Sequence, residues 1–140
     1  MITLIGIDPG KITGIALFKE AKIHQLISTD FWGAIDLINE HNTATIIIEL
    51  PQNKHVWHTG ATNKAAMHRT GLNVGMALRE AELLIKYLAN KKRDYIIEQP
   101  LGKKDKNEFM AITGWQSVTN QHCRDAAIMA WRYRYQQNKS

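Results

Sequence analysis

Residues 44–50 read Ala-Thr-Ile-Ile-Ile-Glu-Leu and are closed by Pro51. Three successive isoleucines favour extended backbone, because a β-branched side chain packs well on a pleated surface and loses rotamer freedom in a helix. Proline cannot donate to a ladder, so a strand stops there. Upstream, Ser28, Thr29 and Asp30 are cap residues. They open a helix of about ten residues through Phe31, Ile35, Leu37 and Ile38. A helix between two strands is a crossover, so strand 44–50 pairs in parallel with an earlier one. The earlier strands are three. Ile2, Leu4, Ile5 and Ile7 form an apolar run stopped by Asp8-Pro9-Gly10, followed by residues 12–19 (ITGIALFK) and residues 22–28. The gaps between them are short, which predicts an antiparallel meander.

Downstream, residues 51–63 (PQNKHVWHTGATN) have no steady period and read as a polar loop. From Lys64 to about Ala89 the apolar positions recur at helical steps. Gly71 and Gly75 inside this stretch count against one unbroken rod. Residues 94–98 (DYIIE) predict a fifth strand, and 101–107 a basic loop. A short helix through Phe109, Met110 and Ile112 stops at Gly114. A last helix runs from about Asn120 to Tyr135, and the tail 136–140 is expected to fray. The order β-β-β-α-β-α-β-α-α predicts one α/β domain over residues 1–140. Its sheet is five-stranded and mixed, three antiparallel strands and then parallel ones, flanked by helices.

At 140 residues the chain is one domain, too small for a two-lobed kinase or a multidomain polymerase. With 44% hydrophobic and 22% charged residues it is globular rather than disordered. The single cysteine, Cys123, makes no internal disulfide and fits a reducing, cytoplasmic compartment. No apolar run approaches the ~18 residues of a membrane span, so no membrane partner is expected. The start MITLIGIDPG lacks the basic segment and cleavage site of a signal peptide. Eighteen Lys and Arg against thirteen Asp and Glu give a net charge of +5 and a pI near 9.4. That surplus suits a polyanion, nucleic acid first. A merely basic surface is the plainer reading of the same charge.

Two acids stand at the ends of isoleucine runs, Asp8 and Glu49. A carboxylate there is costly to bury unless it is paired, hydrogen-bonded or metal-bound. If their strands are parallel neighbours, both project at the same end of the sheet, where open α/β sheets build their sites. On the last helix His122 and Asp125 are three apart and share a face. Ala126, Ala127 and Ala130 let that helix approach closely. Three carboxylates together repel one another, and a divalent cation resolves the conflict. Oxygen ligands with one imidazole and no thiolate pattern favour Mg²⁺ or Mn²⁺ over zinc. Each acid alone reads as an ordinary strand-end or helix-start residue, and only the set points to a site.

GIDPG followed by ITGIAL, then IIIELP, then HCRDAAIMAW resemble the motifs of the RuvC family of Holliday-junction resolvases. The resemblance covers nearly the whole chain. It implies an RNase H-like fold, a homodimer, and a metal-dependent endodeoxyribonuclease that resolves four-way DNA junctions by paired symmetric nicks. The family's metal-binding acids fall on Asp8, Glu49 and Asp125, with two ions expected per site. Its fourth position falls on His122, where many members carry Asp and some carry His. The chain is shorter than bacterial relatives between strand five and the last helix. It therefore looks like a compact, phage-type member working in a bacterial or phage-infected cell. The opening motif is shared with actin-like ATPases, but those need two lobes, so no nucleotide cofactor is expected. A less selective flap or branched-DNA nuclease of the same fold, and a junction-binding protein without catalysis, remain open alternatives.

The expected grip on DNA is basic and loop-borne. Lys54, Lys64 and Arg69 follow strand four, Lys103, Lys104 and Lys106 lie in the next loop, and Arg124 is beside Asp125. Trp57 could stack on an unpaired base, where the resemblance also places an aromatic wedge, and His55 and His58 beside it could touch phosphate. Glu98 reads as a solvent-facing strand end, left out of the metal site. Lys91, Lys92 and Arg93 read as a solvated charge run. The helix from Lys64, with Leu72, Met76 and Leu83 beside Gly71 and Gly75, is the expected dimer element.

Overall fold

Among the described residues nine elements follow in the expected order: β1 (Leu4–Asp8), β2 (Thr13–Lys19), β3 (Lys22–Thr29), α1 (Phe31–Glu40), β4 (Thr45–Glu49), α2 (Lys64–Asn90), β5 (Tyr95–Glu98), α3 (Lys106–Thr113) and α4 (Gln121–Trp131). They are seen in a computed structural model that describes residues 1–51 and 64–135, with residues 64–74 described by their backbone only. The sheet order is β3-β2-β1-β4-β5. β1 pairs antiparallel with β2, and β2 with β3. β1 pairs in parallel with β4, and β4 with β5. The β4 isoleucines are all fully buried, since a strand covered on both faces reads as a continuous apolar run.

Side chains alternate between the two faces of a strand, and this divides the core in two. Ile5, Ile7, Ile15, Leu17, Ile46 and Ile48 face α1 and α2, where Ala34, Ile38, Leu84 and Leu88 cover them. Leu4, Ala16, Phe18 and Ile47 face the other way, onto Phe109 of α3 and the small-residue face of α4. Burying each such Ile, Leu or Phe is worth roughly 1.5–3 kcal/mol. The two layers hold the ends of β1 and β4 in register. Among the described residues no helix is long and apolar enough to cross a membrane.

Several expectations are corrected. α2 runs unbroken through Gly71 and Gly75 from Lys64 to Asn90. The propensity cost of a mid-helix glycine, about 1 kcal/mol, does not break it. α4 ends at Trp131 rather than Tyr135. There Arg134 donates to the Trp131 carbonyl at 2.8 Å and lies over the Trp131 and Tyr135 rings. Arg132 and Tyr133 both donate to the Glu98 carboxylate. Glu98 is therefore not a solvent-facing strand end but the tie between β5 and the end of α4. Arg93 is no solvated charge either. Its guanidinium donates to the carbonyls of Ile38, His41 and Ala44 at 2.6, 2.9 and 2.8 Å, clamping the α1–β4 connection. Residues 136–140, expected to fray, lie outside the described residues.

Candidate metal centre

Alternation along β1 points Leu4, Gly6 and Asp8 to the α4 face, and along β4 it does the same for Ile47 and Glu49. The parallel ladder runs as far as Ile7 opposite Ile48, so the next step sets Asp8 alongside Glu49. α4 reaches these acids because two glycines admit it. A Cβ on Gly6 would run into the Ala126 carbonyl, and one on Gly14 into the His122 carbonyl. The start of α4 is fixed by Asn120, whose side chain accepts the Cys123 N–H at 2.9 Å and donates to Ser28 Oγ on β3. With the helix phase set, His122 and Asp125 turn toward the strand ends.

Asp8, Glu49, His122, Asp125, Lys103 and Met76 line one cavity of about 580 Å³. Asp8 is buried at 9% exposure. His122 Nδ1 lies 3.9 Å from Asp8 Oδ2, and the imidazole is half-exposed. Asp125 Oδ1 accepts from Gln121 Nε2 at 2.6 Å. Burial first, then a hydrogen bond with Glu49 and the negative charges of Glu49 and Asp125, pushes the Asp8 carboxyl up to about 10, against the pull of Lys103. The direction of that shift favours the protonated form of Asp8.

The chemistry of this donor set fits a hard divalent cation: three carboxyl groups and an imidazole line one cavity, and their mutual repulsion is relieved by positive charge. As they stand, no three His, Cys, Asp or Glu groups among the described residues form a ready metal cage. Asp8 lies against Glu49, and Asp125 accepts from Gln121. A cation would compete with a proton at the first pair and with an amide at the second. No protein-family model matches the chain, and no curated protein matches it by sequence.

The basic residues divide. Lys103 is exposed and lines the acid cavity, closer to the site than a loop lysine needed to be. Lys104 is half-buried and Lys106 is exposed at the start of α3. Arg124 is engaged internally, donating to the Lys104 carbonyl at 3.0 Å, to Thr119 Oγ1 at 2.7 Å and to Gln121 Oε1 at 3.2 Å. These bonds hold the lysine loop against α4. Lys64 and Arg69 lie on the first turns of α2, where only the backbone is described. Lys54, Trp57 and His58 lie outside the described residues, as does His55. Sequence reasoning missed Gln121 and Thr13. The first was legible as the residue four before Asp125 on a helix. The second, fully buried, donates to the Gly10 carbonyl at 3.2 Å, and nothing in its spacing marks it.

Proposed function

We propose that this chain is a metal-dependent, structure-selective endodeoxyribonuclease of the RuvC family, RNase H-like in fold, that resolves four-way DNA junctions by paired symmetric nicks as a homodimer. The observation that carries this reading is the gathering of Asp8, Glu49, Asp125 and His122 in one cavity, with the Asp8 carboxyl pushed up first by burial and then by its acidic neighbours. Such a set is unfavourable without a cation and useful with one. Two Mg²⁺ or Mn²⁺ ions would supply a water nucleophile active at neutral pH and a Lewis-acid hold on the leaving oxygen. Asp8, central and flanked on both sides, would serve both ions. Glu49 would hold one, and Asp125 with His122 the other. Asp8 would hold the ions in its ionised, carboxylate form. His122, half-exposed beside Asp8, is alternatively placed to take the proton of the attacking water. Lys103 at the cavity rim would receive the scissile phosphate as a point charge.

The test is an immobile four-way junction incubated with and without Mg²⁺, beside duplex and flap controls. Symmetric, metal-dependent nicks in the junction alone are expected. Equal cutting of flaps would replace the reading by a general branched-DNA nuclease. Tight junction binding with no cutting in either metal would replace it by a binding protein.

A further inference from the structure

Arg124, on the first turn of α4, engages all three of its guanidinium nitrogens inside the fold. Nε donates to the Lys104 carbonyl at 3.0 Å, Nη1 to Thr119 Oγ1 at 2.7 Å and Nη2 to Gln121 Oε1 at 3.2 Å. Gln121 passes the connection on, because its Nε2 donates to Asp125 Oδ1 at 2.6 Å. The three side chains thus make one chain of bonds from the lysine loop to an acid of the cavity, and Gln121 itself lines that cavity.

The residue type at 121 follows from its two partners. A primary amide carries an acceptor and a donor side by side. Its oxygen suits a guanidinium and its nitrogen suits a carboxylate. The reverse orientation would set N–H against N–H and oxygen against oxygen, so the partners assign the amide its direction. Glutamate would repel Asp125, and methionine would serve neither partner. A glutamine four before an aspartate is an ordinary helix-surface pair when it stands alone. Here the pair is half-buried, and the glutamine is gripped by an arginine that is itself anchored at two further points.

At Asp125 this has a chemical consequence. Oδ1 is committed to the amide, while among the described residues Oδ2 accepts no hydrogen bond. Competition between a cation and the amide therefore falls on Oδ1 alone. A small octahedral ion such as Mg²⁺ is satisfied by one oxygen of a carboxylate, whereas Ca²⁺ takes more ligands and readily uses both oxygens.

We propose that Gln121, held by Arg124, is a positioning residue that reserves one oxygen of Asp125, leaving it a one-oxygen ligand and biasing the cavity toward Mg²⁺ over Ca²⁺. The bias rests on the reading of that cavity as a metal centre; the grip on Asp125 does not.

The experiment compares wild type, Gln121→Met and Arg124→Lys as full chains. Met keeps the length of Gln without the amide, and Lys keeps the charge of Arg without its fork. Two readouts are taken: water exchange of the Gln121 side-chain NH₂ by NMR in metal-free protein, and Mg²⁺ and Ca²⁺ affinities by calorimetry. In wild type the Gln121 NH₂ should exchange more slowly than that of Gln25, exposed on β3, and Arg124→Lys should remove most of the difference. Gln121→Met should raise the ratio of Ca²⁺ to Mg²⁺ affinity by roughly 10-fold, the lower end for a ligand that loses its outer partner. Arg124→Lys should move the ratio the same way. A general loosening of the cavity weakens both divalent ions, so the ratio isolates the oxygens of Asp125. A wild-type Gln121 NH₂ that exchanges as fast as that of Gln25 would overturn the grip. A ratio unchanged in Gln121→Met, even with both affinities lowered, would overturn the selectivity. Wild-type protein that binds neither ion while the Gln121 NH₂ is protected as stated would instead overturn the metal-centre reading and leave the grip standing.

Discussion

At the scale of the residue, Asp8 determines most of what the site can do. Its folded carboxyl is pushed from 3.8 up to about 10, so the folded chain holds a proton that the unfolded chain releases. Asp8 therefore contributes stability that is complete below about pH 3.8 and is lost as pH rises toward 10. At neutral pH in chelator, Asp8→Asn should raise the melting temperature by a few degrees, the shift that about 1 kcal/mol makes in a domain of this size. Mn²⁺ should then raise the melting point of wild type and not of the variant. A variant that melts lower in chelator, or one that Mn²⁺ still stabilises, would contradict the assignment. The same substitution should abolish junction cleavage while keeping junction binding. His122→Ala should slow cleavage by roughly 10²-fold, and His122→Asp should recover much of it, since a carboxylate on that face can also ligate; a wild-type rate for His122→Ala removes the imidazole from the chemistry. Asp8 and Glu49 were legible in the sequence because each interrupts an apolar run at a strand end. The internal bonding of Arg124 was not, because the Lys104 carbonyl, Thr119 and Gln121 that it reaches are brought to it only by the fold.

At the scale of the element, the approach of α4 to β1 and β2 is what closes the site. Gly14→Ala would drive a Cβ into backbone of the first turn of α4, which has no side chain to swing away. It should destabilise the fold by at least the ~1–3 kcal/mol typical of overpacking and lower activity by more than the lost stability explains. Gly75→Ala is the matched control. It meets nothing within 4 Å on an exposed helix position and should stabilise by up to about 1 kcal/mol. Thermal melts of both variants check the contrast. Arg93→Ala removes three charge-assisted bonds to carbonyls and should cost about 2–3 kcal/mol, where Lys91→Ala should cost little. Element order, type and parallel pairing were legible because the β-branched runs, the caps at Asp30 and Asn120 and the Gly114 stop each agree with the fold. The end of α4 and the duty of Arg93 were not, because both depend on carbonyls brought near by other parts of the chain.

At the scale of the whole molecule, the net charge of +5 and the acid cavity oppose each other, and Lys103 stands where they meet. Charge reversal at Lys103 and Lys104 should weaken binding to every DNA shape. It should also reduce the slope of log affinity against log salt by about one for each phosphate no longer neutralised. An unchanged slope in a filter-binding series would mean that these lysines touch no phosphate. Junction selectivity should depend on a two-fold dimer, because a single nick leaves the junction linked. Sedimentation of the wild type and of Met76→Glu tests this. A monomeric wild type that still cuts both strands of a supercoiled cruciform together would refute the dimer. The closure of α4 over β1 has a further consequence. Asp8 lies on the first and Asp125 on the last of the described elements, so the ribosome makes the helix carrying Asp125 and His122 after the strands that carry Asp8 and Glu49. A chain interrupted by a premature stop before Gln121 carries two acids at bare strand ends and no partner across from them. On the proposed function, the capacity to cut DNA thus arises in one step, only in molecules translated and folded through α4, and truncated products are inert toward the genome around them.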